Sequence, residues 1–367
     1  MANMAQAIRM ALHVGETDLG VTDIFGEDVG APLGGVFTVS QGLESAWNSP
    51  LDERGIVGMA IGIGLTGTRC VAEIQFCDYA LNAYDQIHQA GMVHWASNGE
   101  FNLPIVLKTP VGAGIHGSIY HSHSFDTFAT HNPGWKIVCP STPLDAYGLM
   151  ISAIKDPNPV LYMEPKALLR IRGEEKIPGE PDDEKTLKQM IDKPVGKGAD
   201  PNWVPDWPDT EHYEVPIGKA RFFRTGESAT VVSWSRHVHM AAKAADELAK
   251  EGLSFDVIDL RSLFPYDWDA ICQSVEKTRR LIVINEDTEV TNFGEHLIRR
   301  AVDEMFYLLE ARPKLLAGAN TPGIGIAPVL EEASVPQPQD VLEAMRAVAT
   351  ERGFGAENAP RVVGASR

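Results

Sequence analysis

Glu53 is the side chain whose position suggests acid–base chemistry most directly. It follows the turn at Pro50 and opens an apolar stretch rich in small residues, which runs from Gly55 to Gly64. Small residues allow close packing, so we expect this carboxylate at a buried boundary, where burial favours proton exchange near neutrality. A glutamate in the first turn of a helix also complements the helix dipole. Glu53 therefore indicates either a proton-exchanging group or a helix-terminal charge.

Three histidines, His116, His121 and His123, lie within eight residues in a glycine-containing segment that follows a predicted strand. Glycine lets a backbone approach a ligand closely, and imidazoles titrate near pH 7. A zinc site is disfavoured because neither a nearby cysteine nor a helical HExxH pattern accompanies them. The segment predicts either a ligand-contacting loop or a solvated loop. His131, further along, is equally compatible with capping a turn.

Carboxylates and aromatic side chains follow the first two predicted strands. Glu27 and Asp28 come after the first, and Phe76, Tyr79 and Tyr84 come after the second. Open α/β sheets bind ligands at the carboxyl ends of their strands, where aromatic rings can stack on a planar heterocycle. These residues are candidates for a binding site, although ordinary acidic loops and core aromatics also show this pattern.

The elements that must position these side chains alternate between short apolar strands and stretches of helical periodicity. We predict strands at 22–26, 70–74, 104–107, 135–138, 160–163, 228–234, 255–260 and 281–284. We predict helices at 3–14, 53–66, 80–97, 143–155, 236–250, 293–309 and 339–350. This alternation predicts an α/β fold of two domains, each a mainly parallel sheet flanked by helices.

The segment 171–214 breaks this alternation. It contains six prolines and twelve acidic residues with few branched apolar side chains. We interpret it as a linker or a surface insertion. The predicted domains are therefore 1–170 and 215–352, followed by a tail at 353–367.

The composition argues against several classes of function. A net charge of −18 disfavours nucleic acid as a partner, because phosphate backbones require a basic surface. The longest apolar run is too short to span a bilayer, and no long apolar stretch opens the sequence, so we expect neither a membrane anchor nor a secretory signal. Four cysteines without CxxC or metal spacing fit a reducing compartment such as the cytoplasm.

In their order along the chain, these segments resemble the β subunit of the E1 component of 2-oxo acid dehydrogenase complexes, a thiamine diphosphate-dependent group that includes pyruvate, branched-chain and acetoin types. The resemblance covers residues 3–350 apart from the 171–214 segment. It is carried by Gly26-Glu27-Asp28-Val29-Gly30, Gly35-Val36-Phe37, Ser49-Pro50 with Glu53, Glu73-Ile74-Gln75-Phe76, Asp85-Gln86-Ile87, His121-Ser122, His131-Asn132-Pro133-Gly134, Val215-Pro216-Ile217-Gly218 and Asp259-Leu260-Arg261-Ser262. It implies a pyrimidine-binding domain followed by a transketolase C-terminal-like domain.

The resemblance implies a role for each matching residue. Glu53 matches the glutamate that hydrogen-bonds the aminopyrimidine ring of thiamine diphosphate. Tyr79 matches the aromatic residue that stacks on that ring, and Gln75 lines the same pocket. His121 matches the histidine that faces the substrate or the incoming lipoyl group.

Further matches surround this group. Glu27 matches an acidic residue near the path between paired active sites, and His131 matches a supporting histidine. The resemblance also implies a potassium site seen in some members, formed by the carbonyl groups of Ile105, Ala153 and Asp156 together with Asn158.

One pattern of this family is absent from the sequence. No Gly-Asp-Gly is followed by Asn-Asn at the spacing that holds Mg²⁺ and the diphosphate. The resemblance therefore implies that this chain supplies half of an active site and an E1 α subunit supplies the Mg²⁺-binding half, in an α2β2 heterotetramer. The implied reaction is decarboxylation of a 2-oxo acid and transfer of the acyl group to a lipoyl group on an E2 partner.

Departures from the pattern leave the substrate open. Where many relatives have His-Ser-Gln-Ser-Pro-Glu, this chain has His121-Ser122-His123-Ser124-Phe125-Asp126. Asn285-Glu286-Asp287 stands where relatives often have His-Glu-Ala. Two alternatives also remain, a stand-alone transketolase-like thiamine enzyme and a non-catalytic assembly subunit or paralogue.

Overall fold

The computed structural model describes residues 1–194 and 203–352. Two parts of the sequence-based predictions, the tail at 353–367 and residues 195–202 of the 171–214 segment, lie outside the described residues. The strands are β1 Val21–Gly26, β2 Ala46–Asn48, β3 Arg69–Glu73, β4 Ile105–Val111, β5 Lys136–Val138, β6 Val160–Pro165, β7 Arg221–Arg224, β8 Ala229–Ser233, β9 Phe255–Asp259, β10 Ser262–Phe264, β11 Leu281–Thr288 and β12 Lys314–Gly318.

The helices, which alternate with these strands, are α1 Met4–Asp18, α2 Glu53–Leu65, α3 Tyr84–Ala96, α4 Asp126–Thr130, α5 Pro143–Lys155, α6 Glu184–Ile191, α7 Arg236–Leu248, α8 Trp268–Thr278, α9 Phe293–Met305, α10 Pro328–Ser334 and α11 Pro338–Thr350. The predicted α/β fold is confirmed. None of the helices in the described ranges is both long enough and apolar enough to cross a bilayer.

The first sheet has the order β10-β5-β6-β4-β3-β1-β2 and is parallel except for β10. Every residue of β4 and β6 is buried, as expected for central strands with helices on both faces. Helices α1 and α5 contribute to the apolar core on one face, and α2 and α3 contribute to the core on the other. The carboxyl ends of β1, β3, β4 and β6 therefore meet at one edge.

The second sheet has the order β12-β11-β8-β9-β7, with β7 antiparallel to β9 and the other pairs parallel. Strand β10 does not join it. After β9 the chain returns to the first sheet, where β10 pairs with β5 through Ser262 and Val138. This crossover connects the two halves of the chain by backbone hydrogen bonding.

The sequence pattern misses the strands β2, β7, β10 and β12 and the helices α4, α6, α8 and α10. The four strands are three to five residues long and all lie at sheet edges, and β7 carries an arginine at each end. Edge strands need no continuous apolar run, because one side of the ladder is unpaired. Their positions therefore depend on pairing with strands elsewhere in the chain.

The described parts of the 171–214 segment, 171–194 and 203–214, are packed against the first half of the molecule. The segment contains α6, whose Leu187 and Ile191 are buried. Arg9 of α1 forms an ion pair with Asp192, and the Trp207 ring stacks on His13 with centroids 4.2 Å apart. The surface-insertion alternative thus describes this segment better than a free linker does.

A buried charge network joins three central strands. The ammonium group of Lys108 on β4 contacts the carboxylates of Glu73 on β3 and Glu164 on β6, with 3.0 Å between Lys108 Nζ and Glu164 Oε1. Burial alone would lower the pKa of Lys108, but Glu164 and Glu73 outweigh it and raise the pKa. Burial, with Glu73 adding to it, raises the pKa of Glu164. The lysine is therefore charged and is shared between the two buried carboxyl groups.

A second buried polar cluster lies where the two halves meet. Arg261 donates from Nη1 to Asp145 Oδ1 of α5 at 2.9 Å and from its backbone N to Asp259 Oδ1 at 3.1 Å. Asp259 is fully buried at the end of β9. Burial first, and then the charge of Asp145, raises its pKa to about 8.

Asp259→Asn should flatten the pH dependence of stability. The carboxyl has a pKa near 3.8 when exposed and about 8 when folded, so the native state holds an extra proton between these values. The wild type should therefore lose stability as pH rises through this window, by up to about 1.4 kcal/mol per pH unit for one proton. Urea unfolding between pH 5.5 and 8.5 measures the slope.

The exposed Asp269 of α8 provides the matched control for this prediction. Asp269→Asn should keep the wild-type slope. Identical slopes in the wild type and Asp259→Asn would contradict the assignment of this proton.

Candidate active site

The candidate site residues converge at the carboxyl edge of the first sheet. Glu27 follows β1, Gln75 follows β3, and Lys166 follows β6. The loop at 112–124 follows β4 and carries His121. Because these strands are parallel neighbours, loops that are distant in sequence lie side by side at this edge.

Glu53 is the first residue of α2 and lies half-buried beside the 3₁₀ turn at Cys77–Ala83. Its Oε2 accepts from Asn82 Nδ2 at 3.4 Å. Half-burial agrees with the boundary position expected from the sequence: on the same helix Ile56, Val57 and Ala60 are buried, whereas Gly58 has nothing packed against it.

Glu27 and Gln75 lie together beside this region. Gln75 Nε2 donates to the backbone oxygen of Glu27 at 3.3 Å and to Asp28 Oδ2 at 3.2 Å. Burial raises the pKa of Glu27, and the charges of Asp28 and Glu53 raise it further. Glu27 therefore lies close enough to the Glu53 carboxylate for that charge to make its own ionisation less favourable.

Tyr79 connects this carboxylate pair to the histidine loop. Its hydroxyl lies 2.8 Å from His121 Nε2. Burial raises the pKa of Tyr79, and Asp78, Glu27 and Glu53 add to the shift in that order. The structure thus brings Glu53, Glu27, Gln75, Tyr79 and His121 together.

His131 lies apart from this group. It is exposed at the end of α4, where its backbone N donates to Thr127 O at 3.0 Å. Its side chain lines a different cavity, of about 520 Å³, with Tyr266, Phe293 and His296 of the second half. Within residues 1–194 and 203–352, no hydrogen bond or aromatic contact joins it to His121. The turn-capping alternative for His131 fits this position.

The three histidines of the 112–124 loop point to different partners. His116 contacts Glu331 of α10, His121 contacts Tyr79, and His123 contacts Asp78. In the described part of the chain, no three histidine, cysteine or acidic side chains are grouped so that they could hold a metal ion. The three imidazoles therefore do not converge on one point.

The predicted potassium site keeps one informative feature. Asn158 Oδ1 is buried and has no hydrogen-bond partner among the described residues, so it fits the role of a ligand to a monovalent cation. Asp156 uses its side chain for Lys136 and for the backbone N of Asn158, and its backbone N donates to Ala153 O at 3.3 Å. The site, with the carbonyl groups of Ile105, Ala153 and Asp156, stays a prediction.

A polar layer formed by Glu286 and Arg236 holds the 112–124 loop and was not apparent from the sequence. Glu286 Oε2, at the end of β11, accepts from the backbone N of Ala113 at 3.2 Å and lies 3.0 Å from Arg236 Nε. Gly112 has a φ of +87°, and a Cβ there would collide with the Glu286 carboxylate. The only sequence signal was Glu286 itself, which follows a predicted strand in Asn285-Glu286-Asp287.

A pair of aspartates, the buried Asp126 and the half-buried Asp287, continues this layer. Asp126 accepts from Trp234 Nε1 at 2.8 Å and from Ser124 Oγ at 2.7 Å. Burial, together with the charge of Asp287, raises the pKa of Asp126 well above its usual value. Asp287 Oδ2 accepts from the backbone N of Thr127 at 2.9 Å. These contacts fix the second half of the chain against the loop that carries His121.

Comparison with known proteins assigns the chain to a family. Residues 1–172 match the transketolase pyrimidine-binding domain, and residues 218–341 match the transketolase C-terminal domain. The chain is 35% identical to the 2-oxoisovalerate dehydrogenase subunit beta of Bacillus subtilis (strain 168) over 333 residues, which cover 89% of this chain and 92% of that protein. The chain belongs to the E1 β subunits of 2-oxo acid dehydrogenases. The resemblance seen in the sequence is thereby confirmed.

Other E1 β subunits show the same extent of similarity. The chain is 34% identical to the pyruvate dehydrogenase E1 component subunit beta of Bacillus subtilis (strain 168), covering 94% of this chain and 98% of that protein. It is 37% identical to the 2-oxoisovalerate dehydrogenase subunit beta of Pseudomonas aeruginosa, covering 87% of each. A solved structure described as "Split gene transketolase, inactive beta4 tetramer" superposes with a TM-score of 0.68 at 17% identity, covering 95% of this chain and 99% of that one. At this identity the superposition confirms the transketolase-like fold alone.

Glu331→Ala should loosen the loop that carries His121 in this E1 β subunit. Glu331 is buried and its Oε1 accepts from the backbone N atoms of Gly114 at 2.6 Å and His116 at 3.3 Å. Losing hydrogen bonds to a charged group should cost about 2 kcal/mol of stability. Amide hydrogen exchange across 112–124 should become faster.

The neighbouring Glu332 is exposed and serves as the matched control. Glu332→Ala should leave exchange in the 112–124 loop at the wild-type rate, and Glu331→Gln should fall between, because its amide oxygen still accepts. Unchanged exchange in Glu331→Ala would show that Glu286 and Arg236 hold the loop without Glu331.

Proposed function

We propose that this E1 β subunit forms half of a thiamine diphosphate site at which a 2-oxo acid is decarboxylated and its acyl group is passed to a lipoyl group of an E2 partner. The observation that carries the proposal is the convergence of Glu53, Glu27, Tyr79 and His121 at one sheet edge. The names of the similar proteins support the reaction class.

The side chains at this edge fit the aminopyrimidine part of the cofactor. Glu53 is a half-buried carboxyl group at a helix start, which can share a proton with a weakly basic ring nitrogen. Phe76 and Tyr79 offer aromatic faces for a planar ring, and their centroids are 5.8 Å apart. Gln75 contributes an amide that can both donate and accept.

The chain's own residues then have distinct tasks. When bound, thiamine diphosphate supplies the electron sink for the bond that breaks on decarboxylation. Glu53 would hold a proton at the ring nitrogen, and Tyr79 and Gln75 would orient the ring. His121, held on the 112–124 loop, would face the 2-oxo acid or the lipoyl group. Glu27 would contribute a second carboxyl group whose raised pKa lets it exchange protons closer to neutrality.

The partner proposal follows from what this sequence lacks. The Gly-Asp-Gly and Asn-Asn pattern is absent from the chain, so we assign the Mg²⁺ ligands and the diphosphate contacts to an E1 α subunit in an α2β2 heterotetramer. Several large apolar side chains on α2 and α3 are exposed, including Trp95 at 88%, which supports burial against another chain. A potassium ion at Asn158 remains part of the proposal.

The substrate proposal stays at the level of a class. Identities of 34–37% to both pyruvate and 2-oxoisovalerate dehydrogenase β subunits favour a short aliphatic 2-oxo acid. The two residues that depart from the family pattern have partners of their own, since His123 turns to Asp78 and Phe125 is buried against Phe128. We also propose domain boundaries near 170 and 215, supported by the matched ranges, and a reducing, cytoplasmic location, supported by four unpaired cysteines.

Glu53→Gln should abolish decarboxylation by the chain reconstituted with its α subunit. The amide cannot share a proton with the ring nitrogen, so kcat should fall at least 100-fold, the lower range for a lost general acid–base group. Asp52→Asn is the matched control, because Asp52 is exposed, lies one residue earlier and makes no capping hydrogen bond. Full activity in Glu53→Gln would refute the role of Glu53.

Calorimetric titration separates the alternatives. Thiamine diphosphate with Mg²⁺ should give no measurable heat of binding with this chain alone and micromolar or tighter binding with the reconstituted tetramer. Tight binding by the chain alone would instead support a stand-alone transketolase-like enzyme. Binding by the tetramer without turnover of any 2-oxo acid would support a non-catalytic assembly subunit.

A further inference from the structure

We infer that Tyr79 is a positioning residue for His121, holding the imidazole as the tautomer protonated at Nδ1 and leaving Nε2 as its proton-exchanging atom. The inference deepens the proposed function and rests on it, because His121 is there the residue that faces the substrate. It assigns Tyr79 a task in addition to stacking on the cofactor ring.

The first step concerns the nitrogen that carries the proton. His121 Nδ1 lies 2.9 Å from the backbone oxygen of Gly117. A carbonyl oxygen can only accept, so Nδ1 must be the donor and must hold a proton. In the neutral ring, Nε2 is then left with a free lone pair.

The second step concerns the partner of Nε2. The Tyr79 hydroxyl lies 2.8 Å away, which is an ordinary hydrogen-bond distance. Burial and the nearby carboxylates Asp78, Glu27 and Glu53 raise the pKa of Tyr79, so the phenol keeps its proton and is able to donate. Both ring nitrogens of His121 are therefore satisfied by groups of opposite character, an acceptor and a donor.

The third step concerns the rigidity of the ring. Phe76 packs against the His121 ring with centroids 4.3 Å apart and planes at 81°. The Lys166 ammonium is buried and lies 5.7 Å from the centroid of the same Phe76 ring. In the loop, His116 and Ser118 adopt positive φ angles of 56° and 70°, which place Gly117 O under the imidazole. Turning the ring over would lose both hydrogen bonds at once.

Carbethoxylation of the full-length chain by diethyl pyrocarbonate tests the pairing without any turnover. The reagent attacks an unprotonated imidazole nitrogen, which in His121 is the Nε2 atom masked by Tyr79. Tyr79→Phe keeps the aromatic ring but removes the donor, so modification of His121, followed by mass spectrometry, should become about three- to tenfold faster. This range corresponds to one hydrogen bond of net strength near 1 kcal/mol.

Tyr120→Phe is the matched control, because Tyr120 adjoins His121, is 65% exposed and makes no hydrogen bond through its hydroxyl among the described residues. It should leave the rate at His121 unchanged. An unchanged rate in Tyr79→Phe, or an equal acceleration in Tyr120→Phe, would overturn the inference.

A spectroscopic measurement keeps the inference testable if Tyr79→Phe fails to fold. Histidine-selective ¹⁵N spectra of the wild type, assigned with His121→Gln, should show a protonated Nδ1 and an unprotonated Nε2 for His121. The opposite tautomer would overturn the inference. Failure of the proposed function would instead appear as full activity in Glu53→Gln, so the two failures are distinguishable.

Discussion

The buried ammonium group of Lys108 is the interaction on which the arrangement of this site depends. It joins β3, β4 and β6 through Glu73 and Glu164, all three side chains being almost completely buried. Such a network costs free energy to desolvate, and removing one member leaves a buried charge without its partner. A shift of one strand would separate the partners in the same way, so the network favours one register of the three strands. Gln75 lies two residues after Glu73, and Lys166 lies two residues after Glu164. The network therefore fixes the positions at which these two loops of the site begin.

A second constraint comes from the way the two halves meet. Glu286 and Glu331, both from the second half, accept backbone hydrogen bonds from the 112–124 loop. That loop has several positive φ angles and donates three backbone hydrogen bonds to these distant carboxylates, so its shape depends on them. The C-terminal half thereby acts on the site, although none of its described residues forms a hydrogen bond with Glu53. Strand β10, which follows β9 in the chain and pairs with β5 of the first sheet, also joins the two halves.

Much of the fold could be predicted from the sequence because its central strands and main helices have strong local signals. The apolar runs of β4 and β6, the capped α5 and the periodic α7 lie close to their predicted positions. The edge strands β2, β7, β10 and β12 could not be predicted in this way, since they form only because a partner strand is present. Glu53 was identified correctly as a helix-start residue, but its contact with Asn82, 29 positions away, could not be predicted from a local pattern.

The sequence by itself determined the α/β class, the family and the set of candidate site residues, because these depend on local periodicity and on motifs of a few residues. Only the tertiary structure decided which of those residues meet. Tyr79 and His121 are 42 positions apart, and Gly114 and Glu331 are 217 apart. Local patterns carry no information about such pairs, whereas parallel strand order and buried charge pairing fix them. For that reason His121 joins the site, while His131, with an equally suggestive motif, lines another cavity.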